Sequence, residues 1–264
     1  MEAYDTSPKP LQDLRGKVAL VTGASSGIGQ AIAEQLVERG THVALFARRT
    51  DRLQALAERL AQAAPPGAGS PGETLVITGD VRVGEDLQRG VAATLERWGK
   101  LDILVANAGF GYRLSVVEGD PQRWKEMIDT NVYGLLLTLK YGVPHLLEHG
   151  AGHVIVTSSI AARVPTPGGA AYCGTKSAAT TIADSLRQEV GTRGVRVTTI
   201  EPGVVISEFQ QVAQYAPDIL PAMLKGAVPL VPLDIARAVL FALELPAHVG
   251  VNELIVRPTG QAYP

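Results

Sequence analysis

Val18-Ala19-Leu20-Val21-Thr22-Gly23-Ala24-Ser25-Ser26-Gly27-Ile28-Gly29, "VALVTGASSGIG", passes from an apolar run into three closely spaced glycines and then, over Ile28–Glu38, into a helical apolar period. A continuous apolar run suits a strand buried on both faces, as in the middle of a parallel sheet. Glycines at such a junction allow a tight turn, close approach of another group to the backbone, and close packing of helix on strand. The N-terminus of the helix would offer unpaired N–H groups and the positive end of its dipole, which suits a phosphate. Gly23, Ser25, Ser26, Gly27, Ile28 and Gly29 are therefore candidate contacts to the pyrophosphate of a dinucleotide.

The same rhythm continues along the chain. Val18–Val21, Val43–Phe46, Leu75–Ile77, Ile103–Val105, Val154–Val156, Val195–Ile200 and Leu254–Val256 read as strands. Between them, Ile28–Glu38, Asp51–Ala63, Glu85–Arg97, Gln122–Glu148, Ala178–Val190 and Leu233–Leu243 read as helices. This predicts one α/β domain over 1–264, a doubly wound parallel sheet of seven strands with helices on both faces. Two stretches break the pattern. Ala64–Glu73, "APPGAGSPGE", is expected to be an inert Pro/Gly surface loop, whereas the insertion Val204–Pro232 is expected to be a mobile lid that carries substrate selection.

Composition narrows the partners. Lys and Arg number 24 against 26 Asp and Glu, a net charge of −2, which supports neither a nucleic-acid footprint nor a basic membrane-binding face. A small-molecule partner is expected. The single cysteine, Cys173, excludes an internal disulfide framework and fits a reducing cytoplasm. The stretch "MEAYDTSPKPLQDLRGK" has charges and prolines where a signal peptide needs an apolar run, and no apolar stretch approaches the ~18 residues of a membrane span, so a soluble cytoplasmic protein is expected. The five histidines show no ligand pattern with carboxylates or cysteine, and no metal is expected.

The end of the second strand bears on which dinucleotide is bound. An NAD site usually places a carboxylate there for the ribose hydroxyls. Here the sequence is Phe46-Ala47-Arg48-Arg49-Thr50. Guanidinium groups match phosphate oxygens, so Arg48 and Arg49 favour a 2′-phosphate and hence NADP(H); as ordinary surface charges they would carry no such meaning.

Ala171-Tyr172-Cys173-Gly174-Thr175-Lys176 sets a phenol four residues before an ammonium. With seven Tyr and a similar number of Lys, that spacing arises by chance in about one such chain in five, so it means little alone. If both lie on one helix they share a face, and the ammonium would favour the phenolate. Moving a phenol to neutrality takes ~4 kcal/mol, more than an exposed pair supplies, so pocket and cofactor would have to contribute.

Thr22–Gly29, Asp80-Val81, Asn107-Ala108-Gly109, Asn131, Ser159, Tyr172 with Lys176, and Pro202-Gly203, in this order and over nearly the whole chain, resemble the short-chain dehydrogenase/reductase family, whose fold is the Rossmann fold. Ser159 precedes Tyr172 by the 13 residues that family shows. The resemblance implies that Tyr172 is the general acid/base, that Lys176 also holds the nicotinamide ribose, that Ser159 bonds the substrate oxygen and that Asn131 positions a water leading from Lys176 to solvent. It further implies that Asp80 and Val81 flank the adenine, that Asn107, Ala108 and Gly109 buttress the cofactor, and that Pro202, Gly203, Val205 and Ser207 meet the nicotinamide end. Ser207 stands where members often carry threonine. A homotetramer is implied as well, with Val132–Leu147 and Ala178–Leu186 as candidate interface.

"MIDTNVYGLLL", "RVTTIEPGVV" and "LPAHVGVNELIVRPTGQAYP" resemble the branch of NADP-dependent 3-hydroxy acid dehydrogenases, serine dehydrogenases acting at C3 and clavulanic acid dehydrogenase. A carboxylate-bearing substrate would want a cation, and Arg113 or Arg163 could supply it or be a surface arginine. Phe110, Tyr112, Phe209 and Tyr215 could instead line an apolar pocket for a broad aldehyde, ketone or 3-oxoacyl reductase. A non-catalytic NADP-sensing regulator is the reading from another class; it sits poorly with the complete set Asn131, Ser159, Tyr172 and Lys176.

Overall fold

The computed structural model of the chain describes residues 7–62 and 71–261. Most of the expected loop Ala64–Glu73, and Ala63 at the end of the second expected helix, lie outside the described residues. Strands β1 (Val18–Thr22), β2 (His42–Ala47), β3 (Thr74–Thr78), β4 (Ile103–Ala106), β5 (Gly152–Thr157), β6 (Val195–Pro202) and β7 (Glu253–Val256) form one sheet in the order β3-β2-β1-β4-β5-β6-β7. Every pairing is parallel, with Val21 opposite Leu45 on one side and Val105 on the other. The order reverses between β1 and β4, and the crevice beyond their carboxyl ends is where open α/β sheets take ligands.

Alternate residues of each strand feed opposite layers. Ala19, Val21, Val43 and Leu45 pack with Ile32 and Leu36 of α1 (Gly27–Glu38), Leu53 of α2 (Thr50–Gln62), and Ile235 and Val239 of α9 (Pro232–Glu244). Leu20, Ala44 and Phe46 pack with Leu87 and Val91 of α3 (Gly84–Trp98), Val143 of α5 (Gly134–Glu148), and Ala183 of α6 (Ala170–Val190). Burial on both faces is why these strands are continuously apolar.

Two local departures from the sequence reading, and the make-up of the insertion, matter for the site. The expected helix Gln122–Glu148 is broken: α4 (Pro121–Ile128) leads through a π-helical turn at Asp129–Tyr133 into α5. Helix α6 starts at Ala170, not Ala178, so Tyr172 and Lys176 lie inside it. Gly174 and the small residues around it weaken the local helix signal, while a bond from Lys176 Nζ to Thr157 O and one from Ser158 Oγ to Lys176 O hold the segment in place. The insertion is built rather than featureless. Its ends are laced by Ile206 N–H to Leu230 O and Leu230 N–H to Val204 O, and between them stand α7 (Phe209–Val212) and α8 (Ile219–Leu224).

A buried histidine makes the fold acid-sensitive. His153 on β5 is 3% exposed; its Nε2 donates to Thr198 Oγ1 at 2.8 Å, because that hydroxyl gives its own proton to Val251 O. Nδ1 finds no partner among the described residues, which fits a neutral ring. Burial, with the Arg196 charge adding to it, lowers the ring pKa to about 3. Since the unfolded chain binds this proton near pH 6.5 and the folded one does not, the stability is intact above about pH 6.5 and lost as pH falls toward 3. Urea unfolding at pH 3.5–6 should show a dependence shallower by about 1.4 kcal/mol per pH unit in His153→Gln than in the parent; equal slopes would remove His153 as the cause.

Candidate active site

The glycine turn has the geometry its sequence suggests. Gly23 has φ +70°, a left-handed conformation, and a methyl there would come within 2.9 Å of Ala108 Cα. At Gly29 a methyl would lie 2.5 Å from Gly23 O and 2.4 Å from Asn107 Nδ2. Ser26 is the N-cap of α1, but its side chain makes no capping bond, so the first turn is left for another acceptor. Arg49, from the end of β2, turns back into this region. Its Nε and Nη2 donate to Ser25 Oγ at 3.1 and 3.0 Å, and Nη2 donates to Ser26 Oγ at 2.6 Å. Arg48 stays exposed, with Asp80 among the charges near it.

Thr22 ties the two strands at the crevice. Its hydroxyl donates to Val105 O and accepts from the Asn107 and Ala108 amides at 3.0 and 3.2 Å. Asn107 returns a bond from Nδ2 to Thr22 O and accepts from Thr157 Oγ1, so it links β1, β4 and β5. Val81 is buried against Gly134, while the Asp80 carboxylate is held by Arg82 at 2.6 Å. Its main-chain N–H is taken by Asp86.

Asn131 sits in the π-helical turn, 3% exposed. Its Oδ1 accepts from Phe110 N–H at 3.0 Å, and its Nδ2 donates to Phe110 O at 2.7 Å and to Thr175 Oγ1 at 3.0 Å. The wide turn thus lets one amide clamp the loop after β4 to helix α6. A cavity no larger than a water molecule lies among Asn131, Thr138, Thr157 and Lys176.

On α6, Lys176 is 7% exposed and donates to Thr157 O at 2.8 Å; desolvation lowers its pKa to about 8. Its Nζ stands 5.9 Å from the centroid of the Tyr172 ring. Burial pushes the Tyr172 phenol up, a hydrogen bond with Ser159 opposing it in part. Lys176 is itself desolvated, so burial dominates at the phenol, and pocket and cofactor would have to contribute to any lowering of its pKa. Ser159 reaches Tyr172 from the end of β5, and its Oγ also accepts from Ala161 N–H at 3.1 Å. Ser158 points elsewhere, donating to Lys176 O at 3.0 Å and meeting Thr180 at 2.9 Å. Cys173 is buried.

The insertion roofs this cluster. Phe209 lies 5.5 Å from Tyr172 and 6.2 Å from Tyr215, ring centre to ring centre. Ser207 accepts from Phe209 N–H and lies near Gly27. Val205 is buried, with its carbonyl held by Gln210, and Gly203 N–H donates to Val256 O at 2.7 Å after Pro202 closes β6. Of the two arginines considered for a substrate carboxylate, Arg163 is engaged by Glu201 and Glu253. Arg113 is exposed, and its charge reaches Tyr215. Thr157 and Thr175 escape a reading of the sequence, because the amides that meet their hydroxyls, Asn107 and Asn131, lie on other elements. Glu208, which pairs with Arg49 at 2.9 Å and with Arg52, escapes it too; those two bonds hold its carboxyl down to about 2. Among the described residues no group of three His, Cys, Asp or Glu could hold a metal, and no helix is long and apolar enough to cross a membrane.

A doubly wound parallel sheet with a glycine turn at its switch point, facing a Ser-Tyr-Lys cluster, is the architecture of a dinucleotide-binding oxidoreductase. Residues 17–217 match the family described as short chain dehydrogenase. The chain is 37% identical over 246 residues to an uncharacterized oxidoreductase of Staphylococcus saprophyticus, covering 93% of this chain and 99% of that one. An alcohol dehydrogenase from the archaeon Thermococcus sibiricus, complexed with 5-hydroxy-NADP, superposes with a TM-score of 0.80 at 35% identity, over 94% of this chain and 99% of that one. The closed form of a serine dehydrogenase complexed with NADP+ gives 0.83 at 33% identity, over 93% and 96%. The chain belongs to the short chain dehydrogenase family of oxidoreductases.

Proposed function

We propose that the chain interconverts a carbonyl and an alcohol with NADP(H), and that Tyr172 transfers the proton. The observation that carries this reading is the meeting of Ser159, Tyr172 and Lys176 opposite the glycine turn. The bound dinucleotide would supply or accept the hydride. Its pyrophosphate fits the turn, where Gly23 and Gly29 leave no room for a side chain and the first turn of α1 is uncapped, and its 2′-phosphate fits Arg49 and the Ser25 and Ser26 hydroxyls. Ser159 would donate to the substrate oxygen while Tyr172 gives it a proton. Burial alone raises the phenol's pKa, so the bound cofactor and Lys176 would have to bring it back toward neutrality for proton transfer in either direction. Lys176 would hold the nicotinamide ribose, and Asn131 would keep the Phe110 loop and α6 in register. NADP-bound relatives support the cofactor assignment.

Arg49→Ala should raise the KM for NADP(H) about 10- to 100-fold and that for NAD(H) far less, because, of the two cofactors, only the first has a 2′-phosphate to lose its charge-assisted bonds. Steady-state kinetics with both cofactors measures it, and comparable efficiency of the parent enzyme with the two cofactors would overturn the assignment.

Two substrate readings have support. Phe209 and Tyr215 over Tyr172 favour a carbonyl bearing an apolar group. The exposed Arg113 charge near Tyr215, with the resemblance to a serine dehydrogenase, favours a 3-hydroxy acid. Oxidation rates over a panel of 3-hydroxy acids and neutral alcohols separate them; no turnover in either direction despite NADPH binding would point to a sensor. Residues 204–232 would be the substrate loop. A homotetramer accords with exposed Tyr133 and Leu136 beside the π-helical turn and is tested by light scattering.

A further inference from the structure

Glu208 crosses from the insertion to the far side of the crevice. Its Oε2 accepts from Arg49 Nη1 at 2.9 Å, and its Oε1 accepts from Arg52 Nη1 on the first turn of α2. The same Arg49 guanidinium uses its Nε and Nη2 on Ser25 and Ser26. One cation is thus shared between the phosphate turn and a carboxylate that lies 159 residues further along the chain. To a guanidinium, a carboxylate and a phosphate are similar partners: both offer paired anionic oxygens to its planar fork. They cannot share it freely, because a phosphate monoester brings close to two negative charges against the carboxylate's one.

We propose that Glu208 is an internal stand-in for the cofactor's 2′-phosphate, which must displace its carboxylate from Arg49. Displacement leaves the carboxylate on Arg52 alone and so loosens the entry of the loop whose next residue, Phe209, packs on Tyr172. The phosphate at the adenosine end is thereby coupled to the roof over the proton-transfer group, and part of its binding energy goes into moving the loop. Glu208 then sets both the affinity for the phosphorylated cofactor and the position of the loop without touching the nicotinamide. The inference rests on the NADP(H) reading above.

The test uses adenosine 2′,5′-bisphosphate and 5′-AMP, which lack the nicotinamide half, titrated calorimetrically into the full chain and into Glu208→Gln. That exchange removes the charge and keeps the size of a half-exposed side chain. The bisphosphate should bind Glu208→Gln about five- to tenfold more tightly than the parent, with 5′-AMP unchanged within twofold. Amide exchange over 207–231 should rise in the parent when the bisphosphate is added, and should already be raised in Glu208→Gln. Unchanged or weaker bisphosphate binding by the variant, with the parent still preferring bisphosphate to 5′-AMP, overturns the displacement and leaves the cofactor reading standing. Equal binding of the two nucleotides by the parent overturns both.

Discussion

Tyr172→Phe is expected to lower kcat/KM for carbonyl reduction by about 10³- to 10⁴-fold while the Kd for NADPH stays within twofold. The substitution removes one hydroxyl. The ring contact with Phe209 at 5.5 Å remains, as do the bond from Lys176 to Thr157 O and the glycine turn, so neither the roof nor the cofactor's seat is disturbed. What is lost is a proton donor positioned by Ser159, and positioned acid catalysis is worth about 10²- to 10⁴-fold. The upper part of that range is expected because Tyr172 is the group assigned to deliver the proton, with Ser159 beside it as a hydrogen-bond donor only. Retention of a tenth of the parent's kcat/KM would take the proton-transfer role away from Tyr172, and a matching loss of NADPH affinity would make the residue a binding group.

Arg163→Met should destabilise the chain by about 3 kcal/mol without raising the KM for any carboxylate-bearing substrate. Glu201 is wholly buried at the end of β6, and among the described residues its carboxylate is met by Arg163 and by one hydroxyl, Thr180 at 3.3 Å. Removing the cation strands a buried carboxylate, which is costlier than the pair was worth. Chemical denaturation measures the loss, and Arg163→Met with Glu201→Gln should recover much of it. If Arg163→Met were as stable as the parent but bound acidic substrates tenfold more weakly, Arg163 would belong to the pocket after all.

The strand and helix order was legible because each strand is buried on both faces and each helix on one, which writes two different periods into the chain. The glycine turn was legible for a related reason, since Gly23 and Gly29 occupy places where a methyl would strike Ala108, Asn107 or the turn's own backbone. Reading stopped where a residue's meaning depends on a distant partner. Asn131 was named through the resemblance alone; that it sits in a π-helical turn and clamps Phe110 to Thr175 follows only from the fold. Arg163 and Arg113 were equivalent as letters and differ because Glu201 and Glu253 surround one of them. How far burial weighs on the phenol was not legible either, because a spacing of four residues sets a shared face but says nothing of what covers it. Glu208 carried no local signal at all.

The strand order also bears on how the chain assembles during synthesis. Four adjoining strands, β3-β2-β1-β4, are complete once Ala106 has emerged, so half of the sheet and the glycine turn can form before Tyr172 exists. Until Gly152–Thr157 arrives, the open side of β4 is an unpaired hydrophobic edge, the feature that invites association with other chains. The π-helical turn and α5 are made in that interval, and Leu146 and Gly142 of α5 come to rest on β5 and β4. Slowing translation between residues 106 and 152 should therefore raise the aggregated fraction more than the same delay placed after β6.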